Sequence, residues 1–128
     1  MKDVNKIILM GRLGADPIQR ETKSGLPVVH FPLATARKVK DGSGALDDEG
    51  ERIVNEETQW HRVVAWGKQG EACAQHLKKG QAVFVEGNLR SRKYEGKDGT
   101  SRMSFEVHVE NISFLGGSSR PQLVQALG

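Results

Sequence analysis

One cysteine, Cys73, is all that the 128 residues contain, so no disulfide can form within the chain and a reducing compartment, the cytoplasm, is expected. There is no paired Cys-x-x-Cys, no His-Glu-x-x-His and no Gly-rich phosphate loop ending in Gly-Lys-Ser/Thr. Their absence removes the commonest redox, zinc-protease and nucleotide-hydrolysis chemistries. Long apolar runs are missing too. The first, Ile7 to Met10, stops at Gly11-Arg12, too short for a secretory leader or a membrane span. The sequon Asn111-Ile112-Ser113 is therefore read as chance. Aromatic residues amount to only 5%, and no Asp or Glu follows Glu110. The inventory points to a protein that is not an enzyme and holds no cofactor or metal.

What is present is a soluble composition, 37% hydrophobic and 27% charged, in a chain of one-domain length. The net charge of +3 hides a contrast. Residues 1–40 carry eight Lys/Arg against three Asp/Glu, residues 41–57 one against seven, and residues 58–128 ten against six. A compact acidic stretch masks a basic remainder, and basic surfaces attract nucleic acid or anionic membrane. The acids of 41–57 form a charge run in a Gly-rich segment rather than a metal site of defined geometry.

Periodicity divides the chain into strands and one helix. Lys6 to Gly11 reads as a short buried strand, with a bend or bulge at Gly11 and a turn at Gly14. Val29, Phe31, Leu33 and Thr35 alternate onto one face of a second strand, where Pro32 implies an edge position or a bulge. Residues 40–57 read as a long solvated loop. Lys68 to Lys79 follows as a helix with Ala72, Cys73, His76 and Leu77 on one stripe and Gly80 as its stop. In that stripe Cys73 is a packing thiol and His76 a packed side chain. Gln81 to Tyr94 alternates again: Val83, Val85 and Leu89 on one face, Phe84, Glu86, Asn88, Arg90, Arg92 and Tyr94 on the other. Glu95 to Gly99 is a hairpin turn, and Met103, Phe105, Val107 and Val109 form a fifth strand whose phase slips near Glu110-Asn111, as a bulge would make it. The expected fold is all-β: a five-stranded OB-fold Greek-key barrel over residues 1–116 with one helix between the third and fourth strands, then a short flexible C-terminal segment over 117–128.

Thr58 to Gly67 carries the chemistry. At a period of two, Trp60, Arg62, Val64 and Trp66 share one strand face, while Gln59, His61, Val63 and Ala65 share the other. Both tryptophans of the chain thus flank an arginine. Two rings on one face also suit a core, but a guanidinium between them argues for a wet surface. Ring, guanidinium, ring is an arrangement that can stack on flat bases and pair with phosphate. Arg90, Arg92 and Tyr94 repeat that mix on the fourth strand. Lys78 and Lys79 are equally read as cations complementing a helix C-terminus.

In its motifs the chain resembles the bacterial single-stranded DNA-binding proteins. The resemblance runs from Val4-Asn5-Lys6-Ile7-Ile8-Leu9-Met10-Gly11-Arg12-Leu13-Gly14 and Asp16-Pro17 through Leu33-Ala34-Thr35, Thr58-Gln59-Trp60-His61-Arg62-Val63-Val64 and Trp66-Gly67-Lys68. It continues in Leu77-Lys78-Lys79-Gly80 and Val85-Glu86-Gly87-Asn88-Leu89-Arg90-Ser91-Arg92-Lys93-Tyr94, covering about residues 4–116. It implies an OB-fold that forms a homotetramer and binds single-stranded DNA without sequence preference in replication, recombination and repair. Trp60, Trp66 and Tyr94 fall where the family stacks bases. Arg62, Lys68, Lys79, Arg90 and Arg92 fall in its basic groove, and His61 falls at a subunit contact.

Two departures stand out. A further stacking aromatic of the family has Val39 in its place here, between Lys38 and Lys40. The family's acidic, aromatic-ended tip, which recruits replication and repair proteins, has no counterpart in Gln125-Ala126-Leu127-Gly128, so such partners are not expected through it. The rival reading is an OB-fold interaction protein, such as a primosomal accessory subunit. Relatives of that kind can lose the aromatic set, and retention of Trp60, Trp66 and Tyr94 favours DNA binding.

Overall fold

The structure, a computed structural model, describes residues 1–116 and 121–122. In chain order its elements are β1 (Ile7–Leu13), β2 (Ile18–Glu21), β3 (Pro27–Lys40), β4 (Val54–Trp66), α1 (Gly67–His76), β5 (Ala82–Glu95), β6 (Ser101–Leu115) and β7 (Pro121–Gln122). Five of these close a ring. β1 pairs with β5, β5 with β6, β6 with β4 in parallel, β4 with β3, and β3 returns to β1 at Ala34↔Arg12 and Leu33↔Leu13. Among the described residues the one helix lies between the third and fourth ring strands, so the expected OB arrangement is the observed one. The short β2 and β7 are additions to it: β2 extends the sheet beside β3, and β7 pairs with Phe114 and Leu115. Apart from that pair, the expected segment over 117–128 lies outside the described residues.

Alternation puts one face of each ring strand inside. Val29, Phe31 and Leu33 of β3, Val63 and Ala65 of β4, Val83 and Val85 of β5, and Val107, Ile112 and Phe114 of β6 are buried together, joined by Cys73 of α1 and by Leu77 just after it. Fully burying each Val, Leu, Ile or Phe side chain among them contributes about 1.5–3 kcal/mol. Gly11 permits the closure: a Cβ there would stand 2.1 Å from the Ala34 carbonyl oxygen, where β1 crosses to β3. The phase slip near Glu110-Asn111 is a bulge, since Val109 pairs with Gly87 and Asn111 with Glu86, leaving Glu110 unpaired between them. Pro32 sits where β3 has finished pairing with β2 and has not yet met β1, so its missing N–H leaves no ladder bond unmade on that side.

Elsewhere the structure corrects the expectations. β1 is only half buried, because Ile8 and Met10 point outward from the ring and are exposed. Leu89 is exposed for a related reason: β5 continues beyond the core that Val83 and Val85 enter. The loop is shorter than 40–57, for β3 runs to Lys40 and β4 starts at Val54, pairing as an exposed arm with an Arg37–Glu57 ion pair at 2.8 Å. The helix stops at His76, because Leu77 turns extended while its N–H still donates to the Cys73 carbonyl. Lys78 and Lys79 therefore stand beyond the helix, and His76 is exposed with its ring 6.3 Å from Phe114 rather than packed in the stripe.

Candidate nucleic-acid interface

Register across the ring assembles one outer face from five strands. Arg62 of β4 lies beside Pro32 of β3 and Glu106 of β6, and Val64 lies between His30 and His108. Partners directly opposite in a ladder share a face, so Trp60, Arg62 and Trp66 look out with His30, Glu106 and His108. β5 extends this face: Arg90 is opposite Glu106, Arg92 opposite Ser104 and Tyr94 opposite Arg102. β2 adds Ile18 beside His30 and Arg20 beside Val28. The six candidates Trp60, Trp66, Tyr94, Arg62, Arg90 and Arg92 thus come from two distant stretches of sequence onto one surface.

The aromatic side chains are open. Trp60 is 58% exposed, Tyr94 45% and Trp66 39%. Trp60 leans over the β1–β2 turn, where Gly14 gives it room: a Cβ there would meet the indole at 2.4 Å. Three recesses converge on Arg62. One is walled by Trp60, Pro32, Ile18 and Phe105, a second by Trp66, His30, Glu106 and His108, and a third by Arg92, Tyr94 and Ser104. A fourth recess, on the arm between Thr35 and Gln59, has no aromatic wall.

Charge on this face is organised by Glu106. Its Oε2 accepts from Arg62 Nε at 2.9 Å with an Arg92 guanidinium nitrogen at 3.8 Å, and its Oε1 is 3.2 Å from His108 Nε2. Burial alone would raise the Glu106 carboxyl. The hydrogen bonds from His108 and Arg62, with the guanidinium's charge, outweigh it and hold the group below its ordinary value. The pKa of His30 is lowered as well, which for a base favours the neutral form. Burial first, then Arg62 and Arg20, lower its pKa against an opposing pull from Glu106. An ionised carboxylate beneath two arginines keeps their heads in place while leaving outward N–H groups for an anion.

The remaining candidates lie elsewhere. Lys68 is exposed in the first turn of α1, and Lys79 stands in the turn after it, its backbone N–H donating to Asp16 Oδ1 at 2.8 Å. Neither lines the three recesses, and nor does Arg90, whose Nε donates to Asn88 Oδ1. His61 is on the opposite strand face, half-buried, with Nε2 2.9 Å from Thr35 Oγ1, and burial lowers its pKa. The acids of the arm loop bond to their own turn: Asp41 accepts from Ser43, and Asp47 from the N–H groups of Glu49 and Glu51. Among the described residues no group of three or more His, Cys, Asp or Glu is placed to hold a metal ion. No described helix is long and apolar enough to cross a membrane.

Sequence reasoning missed Glu106, His108, His30, Arg20 and the 57% exposed Phe105. Glu106 and His108 carried a signal, two polar residues alternating with the apolar Phe105, Val107 and Val109, yet alternation does not say which strand lies alongside.

The family model described as the single-strand binding protein family matches residues 4–115. The single-stranded DNA-binding protein 1 of Chlorobaculum tepidum is 43% identical over 116 residues, which is 90% of this chain and 67% of that one. The single-stranded DNA-binding protein of Xanthomonas campestris is 38% identical over 98% of this chain and 74% of its own, and that of Neisseria meningitidis 40% identical over 89% and 61%. The chain therefore spans between 61% and 74% of the length of these relatives. Among solved structures, one described as the Plasmodium falciparum SSB complex with ssDNA superposes with a TM-score of 0.76 at 27% identity, covering 91% of this chain and 98% of that one.

Proposed function

The chain belongs to the single-strand binding protein family, and from that premise we propose that it binds single-stranded DNA without sequence preference, by stacking bases on Trp60, Trp66 and Tyr94 beside a cationic track. The observation that carries this reading is the gathering of those three exposed rings with Arg62, Arg90 and Arg92 on one outer face. Every base has a π-face and every nucleotide a phosphate, so rings and guanidinium groups in this mix accept any sequence. Stacking contributes about 1–3 kcal/mol per base, and phosphate contacts add a salt-dependent part by releasing counterions. Lys68 and Lys79, away from the recesses, extend the track at its flank. Phe105, walling the Trp60 recess, adds an apolar surface on which a base can rest.

In this reading residues 1–116 are the binding domain, acting without catalysis on single strands exposed in replication, recombination and repair, in the cytoplasm and at the nucleoid. The active form is a homotetramer. Support comes from the exposed Ile8 and Met10 on the outer face of β1, with Phe84 opposite Met10, which offer an apolar surface to further copies. His61, half-buried on the non-tryptophan face, would make a second contact in such an assembly. The test is titration with poly(dT) while following tryptophan emission, with duplex DNA as competitor. Strong quenching that duplex fails to reverse is expected, because paired and stacked bases have no free face. Equal competition by duplex would sink stacking as the mechanism and leave only a basic surface.

A further inference from the structure

The imidazole of His108 links the two kinds of binding group on this face. An indole N–H can only donate, so His108 Nδ1, 3.0 Å from Trp66 Nε1, must accept. The ring proton then sits on Nε2, which donates to Glu106 Oε1 at 3.2 Å, and Glu106 accepts from Arg62 through its other oxygen at 2.9 Å. One unbroken run of hydrogen bonds thus joins Trp66 to Arg62 across β4 and β6. The His108 and Trp66 rings also stack, with centroids 6.0 Å apart and planes at 27°. His108 and Glu106 are themselves buried, so neither is displayed to a ligand as the indole is.

We propose that His108, backed by Glu106, is a positioning residue of this interface: it fixes the plane in which Trp66 meets a base and ties that indole to the Arg62 guanidinium, so that stacking and phosphate binding are presented as one rigid unit. The proposal rests on the DNA-binding reading above. Its physical basis is entropy. The χ2 torsion of a tryptophan on an open strand has a broad well, and immobilising such a side chain on binding costs affinity. A ring held beforehand by an acceptor on Nε1 and a stacked neighbour has already lost that freedom in the free protein.

Three single variants of the full chain, and the His108→Val/Trp66→Phe pair, test this. His108→Val removes the acceptor, His108→Gln supplies a carbonyl for Trp66 and an amide N–H for Glu106, and Trp66→Phe keeps a ring without the donor. Trp66→Phe also assigns the Trp66 indole N–H signal in NMR spectra. In free wild type and His108→Gln that proton should exchange slowly with water, and in His108→Val at the rate of an open indole. Poly(dT) affinity should fall about two- to tenfold in His108→Val, recover in His108→Gln, and be unaffected by His108→Val once Trp66→Phe is present. A His108→Val protein whose indole proton stays protected overturns the proposal. So does a loss of affinity that is equally large in the Trp66→Phe background, since His108 would then act only on packing. A wild type that ignores poly(dT) yet protects the indole proton overturns the DNA-binding reading and leaves the positioning of Trp66 standing.

Discussion

Arg62 has only part of its guanidinium to offer a phosphate, because its Nε is committed to Glu106. The outward nitrogens remain, and their loss should be read in salt dependence rather than in affinity at one ionic strength. Arg62→Ala is expected to flatten the slope of log K against log salt by about 0.7 per lost contact. Trp60→Ala and Trp66→Ala should each weaken poly(dT) binding by about 1–3 kcal/mol with the slope nearly unchanged, since stacking is not ionic. Titrations of these three variants across a salt series check both halves. If all three move only the slope, the rings take no part in binding. Gly14 belongs to the same scale: Gly14→Ala should push the Trp60 ring from its seat, and a shift in tryptophan emission of the free protein would register it.

At the scale of elements, α1 and β3 each bring fully buried side chains to the core, Cys73 from α1 and Val29, Phe31 and Leu33 from β3. Cys73 faces the core from α1, fully buried, and burial pushes its thiol up to about 12. No thiolate forms near neutral pH, so an aromatic disulfide reagent should leave the native chain unlabelled and react only across the unfolding transition in denaturant. Labelling at the native rate of a free thiol would contradict the packing described. Phe31, on β3, is among the largest fully buried side chains, and Phe31→Ala should destabilise the fold by about 3–5 kcal/mol through lost burial and the cavity left behind. Equilibrium urea unfolding gives that number. The exposed arm of β3 and β4 behaves differently. Its Arg37–Glu57 pair is open to solvent on both sides, and Glu57→Ala should cost well under about 1 kcal/mol in the same measurement.

For the whole molecule, sedimentation should give a mass four times that of the chain at micromolar concentration. A monomer would remove the proposed tetramer. Acid should loosen that assembly through His61. Burial within its own chain already lowers its pKa, and the proposed subunit contact would bury it further, so the neutral form is favoured in the assembly and protonation outside it. The stabilisation from this group is therefore complete above the ordinary histidine range and is lost as pH falls through the lowered value. Native mass measurements between pH 8 and pH 5 should show smaller species growing toward the acid end, and His61→Gln should blunt the change.

Alternation at a period of two is a local property, and it was enough to sort the faces of β3, β4 and β5. Val29, Phe31, Leu33, Val63, Ala65, Val83 and Val85 could be assigned to the core and Trp60, Arg62, Trp66, Arg92 and Tyr94 to the outside from the chain alone. The bulge at Glu110 was equally legible, because an extra residue shifts the phase of its own strand. Where a strand outruns the core, local pattern misleads, and Ile8, Met10 and Leu89 are exposed despite apolar runs that read as buried. The run of hydrogen bonds through His108 and Glu106 was not legible, although both residues stood out as polar in an alternating strand. Glu106 and His108 reach Arg62 and Trp66 only because β6 lies parallel to β4 over three residue pairs, from Arg62↔Glu106 to Val64↔His108. Which edges meet when a sheet closes on itself depends on every strand's length, twist and register together, so no stretch of sequence holds that information by itself.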